Sequence, residues 1–71
     1  MADKWYREAE QVIRDAGLVI LSQRERNHRV YKVKHRNGMS YSITISRSPR
    51  STEQAVERLR QELKTRFSNG N

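Results

Sequence analysis

Asn37-Gly38-Met39-Ser40-Tyr41-Ser42-Ile43-Thr44-Ile45-Ser46 decides how this chain folds. An Asn-Gly pair is the strongest short signal for a two-residue hairpin turn, in which both central residues take positive φ. The eight residues after it alternate without a break. Met39, Tyr41, Ile43 and Ile45 are apolar, and Ser40, Ser42, Thr44 and Ser46 are polar. A period of two is the signature of a strand buried on one face. Residues 28–35, ahead of the turn, alternate too, with Tyr31 and Val33 on one side and Val30, Lys32 and Lys34 on the other. The pair reads as an antiparallel hairpin with one apolar face and one Ser/Thr/Lys face, covered on one side only.

Outward from this hairpin, Leu18–Leu21 is apolar and β-branched and predicts a strand running to about Arg24, with either parity inward. Glu25-Arg26-Asn27 reads as the turn that follows. Residues 3–16 carry Trp5, Ala9, Val12, Ile13 and Ala16 at helical spacing, with Asp3 as cap or first-turn acid and Gly17 at the C-terminal cap position. Val56, Leu59, Leu63 and Phe67 make a second helical stripe. Its start is either Ser51, with Gln54 completing a capping box, or Ser48 with Pro49 at the first helical position. Glu62 and Arg66 are spaced for an i,i+4 ion pair. The expected class is α+β: a single α-β-β-β-α domain over residues 1–67, with both helices on one face of a three-stranded antiparallel sheet. The core is expected from Trp5, Val12, Ile13, Tyr31, Val33, Tyr41, Ile43, Ile45, Val56, Leu59, Leu63 and Phe67, with 68–71 a frayed tail.

The 71 residues hold 15 Lys and Arg against 8 Asp and Glu, a net charge of +7. The excess is central: residues 18–46 carry six cations against Glu25 alone. A local positive field attracts polyanions and speeds their encounter, so nucleic acid is the expected partner. No cysteine is present, so disulfides and thiolate metal sites are excluded, which suits a cytoplasmic location. No apolar run reaches membrane-spanning length, no signal peptide follows the polar start, and neither helix has bulky apolar anchors beside a basic face. No membrane partner is therefore expected. Two histidines without cysteines or a close acidic pair make a poor metal set, and no Gly-rich phosphate loop is present, so no cofactor is expected.

Two segments carry the candidate site. Arg24, Arg26, His28 and Arg29 surround the first turn, and Arg47, Ser48 and Arg50 precede the last helix. A helix start offers free N–H groups to an anion. Arginines there oppose the helix dipole unless an anion binds, and capping does not explain them. His28 is either a strand-end phosphate contact or, since RNA supplies its own 2′-hydroxyl nucleophile, the acid/base of a ribonuclease. A small regulator that binds another protein is the third reading.

Asn27-His28-Arg29-Val30-Tyr31, after Ala16-Gly17-Leu18 and an Arg-rich turn, resembles the HicA-type mRNA interferase toxins and their phage-borne relatives, many of unassigned activity. Ile45-Ser46-Arg47-Ser48-Pro49 resembles the segment leading into the last helix of those relatives. The resemblance implies a fold like the double-stranded-RNA-binding domain, RNA ahead of DNA, metal-independent cleavage with His28 catalytic, and an antitoxin or host protein as a further partner. Arg26 and Asn27 stand where the family has small residues before its histidine.

Overall fold

The computed structural model describes residues 3–67. The tail 68–71, Met1 and Ala2, and the capping role expected of the Asp3 side chain fall outside the described residues. The order is α1 (Asp3–Asp15), β1 (Val19–Glu25), β2 (Arg29–Lys34), β3 (Ser40–Ile45) and α2 (Thr52–Phe67). The three strands form one antiparallel sheet in the order β1-β2-β3. The expected α+β, α-β-β-β-α architecture is the one observed.

Helix α1 forms because Trp5, Tyr6, Ala9, Val12 and Ile13 line one face, and all five are buried. Its end is set by Gly17, at φ 85°. Gly17 N–H donates to the Arg14 carbonyl at 2.9 Å and Leu18 N–H to the Ile13 carbonyl at 3.3 Å, the paired bonds of a Schellman cap. Leu18 then folds back into the core. Helix α2 starts after Ser51, whose Oγ accepts the Gln54 N–H at 3.3 Å, so Ser51 rather than Ser48 is the cap. Val56, Leu59 and Leu63 of α2 meet Val12 and Ile13 of α1 over Tyr31, Val33, Ile43 and Ile45 of the sheet. Both helices thus cover one face. Arg66 does not pair with Glu62; it donates to the Ser42 carbonyl at 3.5 Å and lies over the Tyr41 and Phe67 rings.

Two expectations at the hairpin need correction. The turn is one residue longer than a two-residue loop: His35 N–H bonds the Met39 carbonyl and Gly38 N–H the His35 carbonyl, both at 2.9 Å. Only Gly38 has positive φ, at 90°. The Asn37 side chain accepts the Met39 N–H at 2.8 Å, a local bond that supplies the turn without a left-handed Asn37. Met39 is 57% exposed, although its parity is inward. Phe67, the last residue of α2, stacks on His35 at 5.5 Å and packs on Tyr41 at 4.9 Å, and Met39 lies beyond that cover.

Strand β1 carries the feature that decides which way its charges point. Its register against β2 slips between Ile20 and Ser22, leaving Leu21 as an extra residue. Ile20 pairs with Val33 on the helix side, but after the bulge Gln23 and Glu25 take that side, opposite Tyr31 and Arg29. Arg24 therefore falls on the open side. The row Arg24, Val30, Thr44 and the row Ser22, Lys32, Ser42 both face away from the helices.

Candidate nucleic-acid interface

Arg29 begins β2 on the helix-facing side, and its side chain is only 15% exposed. Its guanidinium meets Glu25 at 2.9 Å and Glu10 at 3.7 Å and lies 4.1 Å above the Tyr6 ring. The acids are held in turn. Tyr6 donates to Glu25 at 3.1 Å and Tyr31 donates to Glu10 at 2.8 Å. The bond from Arg29 holds the Glu25 carboxyl below its ordinary pKa, with Tyr6 and Arg47 adding to it. Burial, and then the Glu10 carboxylate, push the Tyr31 hydroxyl up to about 12. Arg29 is the centre of a network that joins α1 to the sheet, although its own Nε is buried without a hydrogen-bond partner among the described residues.

Arg47 brings the two candidate segments together. Its Nε bonds Glu25 at 3.0 Å and its Nη1 donates to the Arg26 carbonyl at 3.1 Å. The loop into α2 is thereby clamped to the β1–β2 turn. Trp5 Nε1 donates to the Ser46 carbonyl at 2.7 Å and fixes the same loop from the other side. The turn itself is closed by Arg26 N–H on the His28 carbonyl at 3.1 Å. On this frame Arg26, His28, Ser48 and Arg50 are exposed. None of their side chains has an ion pair or hydrogen bond among the described residues. Arg50 stands on an open groove of about 390 Å³, floored by Trp5 and Leu59 and edged by Ser51, Gln54 and Arg58.

The candidate residues therefore divide three ways. Arg26, His28, Ser48 and Arg50 share the loop-and-turn end of the sheet. Arg29 and Arg47 hold that end together. Arg24 projects from the open face with Lys32 and Lys34, two cations that were not among the candidates. The alternation of Lys32 and Lys34 around Val33 was the available signal for them. The unpaired cations make an anion-attracting end, and the exposed imidazole of His28 adds a donor to it. Among the described residues no three His, Cys, Asp or Glu side chains come together to hold a metal ion. No described helix is long and apolar enough to cross a membrane. Compared with protein-family models, curated proteins and solved structures, the chain matches none.

Proposed function

We propose that this domain binds nucleic acid, RNA ahead of DNA, by gripping the phosphate backbone at the loop-and-turn end of the sheet. The observation that supports this reading is the Arg47 clamp. It holds two arginine-bearing loops side by side while Glu25, the one acid between them, is neutralised by Arg29 and Arg47. Arg26, His28 and Arg50 are the contacts in this reading, with Ser48 at the loop; Arg29 and Arg47 are positioning residues. Phosphate contacts fix register and carry no sequence information, so binding should be largely independent of sequence. A cytoplasmic location goes with the proposal.

His28 enters as a contact rather than a catalyst. A general base must be held in place, and among the described residues no hydrogen bond fixes the His28 ring. The test is fluorescence anisotropy with RNA and DNA oligonucleotides at low salt, with RNA integrity followed on gels. Wild type should bind both without cutting either, and Arg26→Ala with Arg50→Ala should weaken both about equally. RNA cleavage without metal, lost in His28→Ala, would instead support the interferase reading. No binding by the folded protein to either nucleic acid would leave an antitoxin, a host protein or another protein as the partner.

A further inference from the structure

The open face of the sheet carries three cations that the site above does not use. Arg24, Lys32 and Lys34 all project from it, all are exposed, and none has an ion pair or hydrogen bond among the described residues. The register places no Asp or Glu on this face; across the strands Arg24 meets Val30, Lys32 meets Ser22 and Ser42, and Lys34 meets Val19 and Ser40. The acids lie on the other side: Glu25 and Glu10 face the helices, around Arg29. The segregation follows from the bulge at Leu21, which turns Arg24 out and Glu25 in.

The three charges also succeed one another along the sheet, Arg24 on β1 and Lys32 and Lys34 on the adjacent β2. Arg24 lies one row from the β1–β2 turn, Lys32 two residues further along the sheet and Lys34 two beyond that. Two residues of strand advance about 6.6–6.8 Å, so the cations recur at a regular interval from the turn to the far end. The hydroxyls of Ser22 and Ser42 beside Lys32, and of Ser40 beside Lys34, can donate to phosphate oxygens. No aromatic side chain lies on this face, so it has no platform for stacking bases. Its chemistry is that of a backbone track.

We infer that the open face, through Arg24, Lys32 and Lys34, is a second contact for the nucleic-acid backbone, continuing from Arg26 at the turn. This rests on the proposed function and extends its footprint from the end of the sheet to a whole face. Long-range attraction alone would weaken binding whenever any cation is removed, so the test needs an equal-charge control. Lys4 and Arg7 of α1 are exposed and have no ion pair or hydrogen bond among the described residues. Affinity for a fluorescent RNA oligonucleotide, single-stranded and duplex, is measured against salt for wild type, Lys32→Gln with Lys34→Gln, and Lys4→Gln with Arg7→Gln. The sheet pair should lower the slope of log K on log salt by about 1.4–1.8, the loss of two phosphate contacts, and the helix pair should hardly change it. Equal losses from the two pairs, with wild type binding, would overturn the inference and leave the proposed function standing. No binding by wild type would overturn both. Direct binding of polyglutamate that is lost in the sheet pair, with RNA affinity and its salt slope unchanged, would overturn the inference and assign the face to an acidic protein instead.

Discussion

Arg24 and Arg29 lie on paired strands, one row apart at the same end of the sheet, and they live in opposite surroundings. Arg29 faces the helices and is bracketed by two carboxylates and two tyrosine rings. Arg24 faces the other way and has no acid partner among the described residues. An arginine whose charge is matched inside the fold contributes to stability and adds little to the outer field. One left unmatched adds nothing to the fold and leaves its field for a ligand. The sheet thus sorts its charges by side, with ion pairs on the helix side and, among the described residues, cations without an acidic partner at the end and on the open face.

The largest effect that would test this sorting is on the fold. Ile43→Asp buries a carboxylate with no partner among Tyr31, Val33 and Leu63, and should unfold the domain, because the cost is several kcal/mol against a total stability of about 5–15. Ser42→Asp, one residue away on the open face, should leave the thermal unfolding midpoint nearly unchanged. Circular dichroism melts on the two variants measure the difference. Similar melts would mean that the two faces are not distinct.

A smaller effect separates the two arginines directly. Arg29→Ala removes the cation that Glu10 and Glu25 share, leaving them Arg14 at 3.9 Å and Arg47 at 3.0 Å, and should cost about 1–3 kcal/mol in urea unfolding, whereas Arg24→Ala should change stability by less than about 0.5. Arg47→Ala should fall between them, since its side chain is 54% exposed but clamps a loop.

Smaller still are the pH effects, confined to the helix side. The Glu25 pKa is lowered by folding, so its stabilisation is complete above the ordinary carboxyl value of 4.5 and fades as pH falls below it. The Tyr31 pKa is raised, so its stabilisation is complete below 10 and fades as pH rises toward about 12. Urea midpoints across these two windows should drop at both ends. Glu25→Gln should flatten the acid limb and leave the alkaline one, and a variant that kept the acid limb unchanged would remove Glu25 from the account.

Much of this sorting was legible in the sequence, because one period governs it. The alternation from Tyr31 to Lys34 and from Ser40 to Ile45 set two strands and their faces, and the apolar stripes set both helices. The cap at Gly17 followed from a glycine after the last stripe residue. The place of strand β1 was legible, but which way its side chains face was not. Leu18–Leu21 has no alternation, and the Leu21 bulge reverses parity midway, so Arg24 and Arg29 looked like neighbours in one site. The role of Arg29 was hidden for another reason. Its partners Tyr6 and Glu10 come from α1, far away in the chain, and no local pattern announces a tertiary ion pair. The hairpin turn was misread by one residue because the Asn37 side chain bonds the backbone and replaces the conformation that Asn-Gly usually takes.

The most direct test of the central claim is where an RNA oligonucleotide lands on the protein. Amide shifts of the labelled domain, followed through a titration at low salt, report this residue by residue. The largest changes should fall at Arg24, Arg26, His28, Ser48 and Arg50, extend along Lys32 and Lys34, and vanish as salt is raised. Changes centred instead on the helix-side groove of Val12, Ala16, Leu63 and Phe67, or no changes anywhere, would contradict the account.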